Sequence, residues 1–282
     1  MPTKDGIHYL PSRLLEDRVK VVVIGAGGSG SHMVTDLAVL HQSMIDLGHP
    51  GGLAVTVHDY DNVASANVGR SRFFEADVGA NKAQTIVMRV NAAYGLDFRA
   101  VSEKLCDDDA GWTLTNADMV IGCVDTRESR RTIHKVLNSR TTGRSIYYLD
   151  LGNGDVDGQV VLGEVSNGKG TRLPCITDLY PEILDERNDP KDPGPSCGRA
   201  EALTRQSAFV NKSASMHAVS MLSMLFRYGQ LDHHASFFSL KTGRVSVLDC
   251  DEKAWEQRFG YRSDQPVEPV PKYDEMSDEI QF

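Results

Sequence analysis

Gly25-Ala26-Gly27-Gly28-Ser29-Gly30-Ser31 follows directly on the apolar run Val19 to Ile24. A strand turning this sharply into a helix aims free backbone N–H groups and the positive helix end at one spot, which suits an anionic phosphate. Gly25, Gly27, Gly28 and Gly30 let the backbone approach that phosphate where larger side chains would block it. The pattern alone serves dinucleotide dehydrogenases, flavoproteins and ATP users alike. Residues further along must discriminate between them.

A dehydrogenase needs an acidic residue at the end of the second strand to hold ribose hydroxyls, and Asp59 fits that place. Asp61 reads as a turn cap, but the stretch beyond it carries Asn67, Arg70, Arg72 and then Lys82 behind Gly79. Hydride transfer asks for none of these, whereas polyphosphate handling does. Arginine offers a planar fork to phosphate oxygens and lysine a compact charge beside a leaving pyrophosphate. Spacing favours Arg70 over Arg72 for that task, with Arg72 left to a surface ion pair. Ile121-Gly122-Cys123-Val124-Asp125 ends a later strand and puts Asp125 at the same sheet edge. A carboxylate facing bound phosphates is where Mg2+ would be held, although Asp125 also suits a helix cap.

The elements that must position these residues alternate strand and helix. Apolar runs predict strands at Val19–Gly25, Leu53–Asp59, Asp97–Leu105, Met119–Val124 and Ile146–Leu151, with helical patterns at 32–47, 80–94 and 126–139 between them. That alternation means βαβ units, hence an α/β, doubly wound, Rossmann-like and mostly parallel sheet. The turn cluster 153–158 then leads into Val160–Val165 with no room for a crossover helix, so antiparallel strands are added at the C-terminal side. Pro174 to Pro195 holds five prolines and reads as an irregular excursion. Glu201–Tyr228 is the longest helical pattern, and 236–240 with 244–250 reads as a closing hairpin. Met216, Met221 and Met224 recur at helical spacing there and are expected to face the core or a partner copy. The organisation expected is an N-terminal arm at 1–18, a nucleotide-binding half at 19–152, a partner-binding and crossover-loop half at 153–260, and an acidic mobile tail at 261–282. Asp264 to Phe282 carries six carboxylate side chains and three prolines.

These motifs resemble the ThiF/MoeB family, the bacterial relatives of ubiquitin-activating enzymes. The resemblance rests on G-A-G-G-S-G-S, D-x-D-x-V-x-x-x-N-x-x-R, G-x-x-K-A and the C-x-D strand end, in that order, over Val19 to Val165, and extends more loosely to Gln206, Asn211 and Lys212. Within the family the chain looks closest to the ThiF-type proteins of PRTRC gene systems, through Pro195-Ser196-Cys197-Gly198-Arg199-Ala200-Glu201-Ala202-Leu203 and the Gln206 and Phe209-Val210-Asn211 that follow. The resemblance implies ATP-dependent adenylation of the C-terminal carboxylate of a small ubiquitin-like or sulfur-carrier protein. It implies Asp59 on the ribose, Asn67 and Arg70 on the phosphates, Lys82 on the α/β region and Asp125 on Mg2+. It further implies a homodimer in which an N-terminal arginine reaches the partner's site, with Arg13 the candidate and Arg18 second. Two departures stand out: Ser71 replaces the amide that usually follows the arginine, and the two C-x-x-C zinc pairs of many members are missing.

Cys197 sits in a proline-stiffened turn ahead of the long helical pattern, where a helix N-terminus lowers a thiol's pKa, so it is a candidate to accept the activated carboxylate, the alternatives being a surface cysteine or a soft metal ligand. Cys175 is the alternative acceptor, and Cys123 is expected to pack beneath the nucleotide. Five cysteines without C-x-x-C spacing argue for reduced thiols in the cytoplasm. No apolar run reaches the ~20 residues of a membrane span, and a net charge of −9 would repel nucleic acid. An NAD(P)-dependent oxidoreductase and a non-catalytic nucleotide-binding scaffold are the competing readings.

Overall fold

The structure, a computed structural model, describes residues 6–103, 113–114, 116–139, 145–166, 172–189 and 206–264. In chain order the strands are β1 (His8–Tyr9), β2 (Val19–Ile24), β3 (Leu53–His58), β4 (Arg99–Val101), β5 (Met119–Gly122), β6 (Ile146–Asn153), β7 (Asp157–Val165), β8 (Gln230–Leu231), β9 (His233–Ser239) and β10 (Arg244–Asp249). The helices are α1 (Arg13–Glu16), α2 (Gly28–Asp46), α3 (Lys82–Tyr94), α4 (Arg127–Ser139), α5 (Ile176–Leu179), α6 (Val210–Tyr228) and α7 (Glu252–Phe259).

One eight-stranded sheet carries the fold, in the order β10-β9-β7-β6-β5-β2-β3-β4. β6, β5, β2, β3 and β4 run parallel, and β7, β9 and β10 extend the sheet antiparallel. This is the doubly wound sheet with antiparallel strands on its C-terminal side that the residue pattern predicts. β2 reads Val-Lys-Val-Val-Val-Ile with five of six side chains buried, as a central parallel strand covered by helices on both faces requires. α2 and α6 pack closely against each other, so the glycine-loop helix is braced by a helix from far along the chain. Among the described residues no helix is long and apolar enough to cross a membrane.

Several boundaries depart from the pattern, each for a local reason. The third strand shrinks to Arg99–Val101 because Asn91 clips Phe98 at both its N–H and its carbonyl, and Asp97 is held by Arg18. α6 begins at Val210, not at 201. Gln206 to Phe209 form a bend and turn, Ser207 N–H donates to the Asp155 carbonyl at 2.8 Å, and 201–205 lie outside the described residues. Of its methionines Met221 is core, while Met216 and Met224 are 54% and 42% exposed. The stretch after Pro174 folds as α5 and two 3-10 turns, Pro181–Leu184 and Glu186–Asn188. α7 was not predicted; its fully buried Trp255 donates Nε1–H to the Asp249 carbonyl at 2.8 Å. Tyr261 packs beside Trp255, and 265–282 of the expected tail lie outside the described residues.

Candidate functional site

The parallel strands end at a common edge, and a cavity of about 490 Å³ opens there. Gly25, Gly27, Gly28, Asp59, Asn67, Arg70, Lys82 and Asp125 all line it. Residues spread over a hundred positions thus converge: the glycines follow β2, Asp59 follows β3, Asn67, Arg70 and Lys82 come from the stretch leading from β3 into α3, and Asp125 follows β5.

The glycines have separate tasks. Gly25 sits at φ +89°, and a Cβ there would lie 2.7 Å from the Cys123 carbonyl oxygen. Gly30 lies behind the cavity wall, where a Cβ would fall 1.9 Å from the Gly25 carbonyl oxygen; it makes the strand-to-helix turn possible. Gly28 makes room for Asn211, whose side chain a Cβ would meet at 2.6 Å. Gly27 has nothing within 4 Å of a notional Cβ, so only there is the backbone bare toward open space.

Asp59 Oδ2 accepts the Ala26 N–H at 2.6 Å and Oδ1 accepts the Asp61 N–H at 2.9 Å, tying the end of β3 to the glycine loop. Burial raises its carboxyl above the usual range, with the Ala26 N–H and the Lys82 charge opposing. Lys82 opens α3, positioned by its N–H on the Asp61 carbonyl and by the bridge between Asn62 and Asn81. Its Nζ pairs with Asp61 Oδ2 at 2.9 Å, so Asp61 does more than shape a turn.

Arg70 is half-buried; burial lowers its pKa and the Asp125 charge raises it. Its Nε donates to the Ala66 carbonyl at 3.0 Å and one terminal nitrogen to Gln206 Oε1 at 2.8 Å. Asn67 caps its own 3-10 turn, accepting the Ala64 N–H at 2.9 Å. Arg72 is exposed, outside the cavity, and among the described residues makes no ion pair, against the surface pair expected. Its backbone N–H donates to Ser31 instead.

Asp125 is not the cap of α4: Thr126 Oγ1 accepts the Ser129 N–H at 3.1 Å. The Asp125 carboxylate is exposed in the cavity and makes no hydrogen bond or ion pair among the described residues. That is the state of a group open to a ligand. No cluster of three or more metal-ligating side chains occurs among the described residues. An open glycine cradle, two cations and, among the five acidic residues of the lining, the carboxylate of Asp125 fit a nucleoside triphosphate with its cation.

Arg13 is outside the cavity, paired with Asp118, whose carboxylate is almost fully buried and also accepts the Lys20 N–H at 2.9 Å. Cys175 is buried in the core beside Gly163, and burial pushes its thiol up, so it is not the exposed loop cysteine expected of an acceptor. Cys197 falls outside the described residues. Cys123 lines the cavity floor, half-buried, with burial also pushing its thiol up.

Sequence reasoning missed the polar bracket behind the cradle. Ser29 Oγ lies 3.0 Å from both Asn211 Oδ1 and Asn153 Oδ1, while Asn211 Nδ2 donates to Gln206 Oε1 and to the Arg70 carbonyl. Gln206 and Asn211 carried a motif resemblance but no role, and Asn153 carried no signal beyond its turn.

Solved structures with the same architecture include selenomethionine PaaA, 16% identical, TM-score 0.59, over 83% of this chain and 73% of that one. They also include Escherichia coli MccB with ATP, 17% identical, TM-score 0.57, over 84% of this chain and 64% of that one. MccB with AMPCPP and selenomethionine MccA superposes at TM-score 0.57, 17% identical, over 82% and 64%. The chain thus spans less than two thirds of MccB, and at these identities the likeness shows the fold. No curated protein matches the chain. A family match runs from 13 to 257, across both the parallel core and the antiparallel extension; the chain belongs to the ThiF family, which supports ATP-dependent adenylation of a carboxylate.

Proposed function

We propose that this chain activates the C-terminal carboxylate of a small ubiquitin-like or sulfur-carrier protein with ATP. A carboxylate oxygen of the partner bonds to the α-phosphorus as the bond to the bridging oxygen of the β-phosphate breaks. Pyrophosphate leaves with that electron pair, and the partner carries AMP as an acyl-adenylate.

One observation carries the reading: an acidic group at the β3 end, a bare glycine cradle, two cations and an unpaired carboxylate share one cavity. Asp59 holds the ribose, the N–H groups of the glycine loop take phosphate, and Asn67, Arg70 and Lys82 neutralise the charge that grows on the leaving pyrophosphate. Lys82 exchanges Asp61 for phosphate when ATP enters. Asp125 holds Mg2+, which when bound supplies further charge neutralisation on the phosphates. MccB has been crystallised with ATP, and with AMPCPP and MccA, which supports a nucleotide beside a peptide carboxylate here. A later transfer to Cys197, a homodimer packed through the exposed methionines of α6, a trans role for Arg13 and a cytoplasmic setting belong to the same proposal.

Pyrophosphate exchange into ATP, run with a candidate ubiquitin-like partner, tests it. Partner-dependent exchange is expected. ATP binding without exchange would leave a scaffold, and tight NAD(H) binding in place of ATP would sink the reading in favour of an oxidoreductase.

A further inference from the structure

Ser71 occupies the position where the resembled family has an amide beside its phosphate arginine. Its short side chain turns back onto the Asn67 carbonyl and offers Arg70 nothing. An amide nevertheless reaches Arg70 from 136 residues further along the chain: Gln206 Oε1, at 2.8 Å.

That oxygen is itself fixed. It accepts a second hydrogen bond from Asn211 Nδ2 at 3.1 Å, and Gln206 Nε2 donates to the Gly154 carbonyl at 3.2 Å. Asn211, 3% exposed, also donates to the Arg70 carbonyl and meets Ser29 of the glycine loop. Gly28 admits it, having no Cβ. Gln206, just ahead of α6, and Asn211, in its first turn, therefore clamp both phosphate-binding loops, the glycine turn and the arginine turn. With Nε on the Ala66 carbonyl and one terminal nitrogen on Gln206, the guanidinium is fixed at two corners and keeps one edge for the cavity.

We propose that Gln206, seated by Asn211, is the positioning residue for Arg70 and substitutes for the amide that Ser71 lacks. A guanidinium held this way meets phosphate oxygens without first losing rotamer freedom, so Gln206, although it lines the cavity and touches Asn211, acts on triphosphate affinity chiefly through Arg70. The inference rests on the ATP reading above.

The test is MgATP affinity by calorimetry on the full chain, with Gln206→Ala, Arg70→Ala, the double variant and Gln206→Glu. Gln206→Ala should weaken MgATP about tenfold, the scale of one charge-assisted hydrogen bond. Placed on Arg70→Ala it should change nothing further. Gln206→Glu should bind more weakly than Gln206→Ala, because a carboxylate pairs with Arg70 and repels phosphate. Arg72→Ala, outside the cavity, should bind as wild type. If the effects of Gln206→Ala and Arg70→Ala multiply in the double variant, or if Gln206→Glu matches wild type, Gln206 does not work through Arg70 and the inference falls. Those results leave the ATP reading standing, provided the wild-type chain binds MgATP; a folded wild type that does not bind it removes both.

Discussion

At the scale of single residues, the site separates what is near in sequence from what is near in space. The glycine loop was legible because its geometry is local: Gly25 needs φ +89°, and Gly30 has backbone where a Cβ would be. Asp59 and Asp125 were legible because each stands just past a strand end, and Arg70 and Lys82 because cations between β3 and α3 suit phosphate rather than hydride transfer. Asn153, Gln206 and Asn211 were not, because a hydrogen bond across 136 positions leaves no periodicity to read. Gly27 gives a clean test, since a methyl there meets nothing in the protein and points where phosphate would lie. Gly27→Ala should leave the melting temperature within about 1 °C, as expected of a substitution without contacts, and weaken MgATP at least tenfold. Unchanged affinity would move the phosphates off the loop. Asp125→Ala should likewise keep the fold, because the carboxylate supports no cap, and abolish partner-dependent pyrophosphate exchange. Retained exchange would remove Asp125 from the metal role.

At the scale of elements, buried strands announce themselves and tethered segments do not. β2, β3, β5 and β6 are apolar runs bounded by glycine or polar residues, and the pattern finds them within about two residues. α7 hides because its polar surface dilutes a single decisive Trp255, and β1 with β8 is a two-residue pairing, His8 with Leu231 and Tyr9 with Gln230, that no window detects. The N-terminal arm is bound by the same kind of long-range contact. α1 sets Arg13 against Asp118 and the Ser145 carbonyl, so the arginine ties the arm to the start of β5. Arg13→Ala takes that cation away from the buried Asp118. Removing one partner of a fully buried pair costs about 3–5 kcal/mol, but Arg13 is partly exposed and screened, so about 1–2 kcal/mol is expected. Chemical denaturation measures this directly. A stability unchanged by the substitution, with exchange strongly reduced, would instead assign Arg13 to catalysis in a partner's site.

At the scale of the whole molecule, neutral buried histidines, His8 and His234 at one place and His32 at another, make the fold sensitive to acid. His8 shares a 2.7 Å hydrogen bond with the Tyr147 hydroxyl, His32 is buried within the first turns of α2, and His234 bonds the Leu162 carbonyl and stands edge-on to Trp255. Burial lowers each from an ordinary value near 6.5 to about 4, helped at His32 by the charges of Arg72 and Lys212. The unfolded chain binds these protons below pH 6.5 while the folded chain refuses them until about pH 4. Stability is therefore complete above pH 6.5 and falls as pH drops through that window. Each histidine contributes at most about 3 kcal/mol, since every tenfold loss of proton affinity on folding is worth about 1.4 kcal/mol. Three together rival the roughly 5–15 kcal/mol that holds a domain. Asp36 and Asp59 act in the opposite sense: burial raises them, so they favour the fold at low pH and offset part of the loss. Melting curves from pH 7 to pH 4.5 should show a steep decline, and His234→Gln, which removes one of the three protonations, should flatten it even if it lowers the melting temperature at pH 7. A wild-type curve flat across that range would mean that the histidines are protonated as readily in the fold as outside it. Acid sensitivity would then have to come from carboxylate ion pairs such as Asp77 with Arg89, whose carboxyl is held below its ordinary value, and would set in only below about pH 4, where carboxylates take up protons.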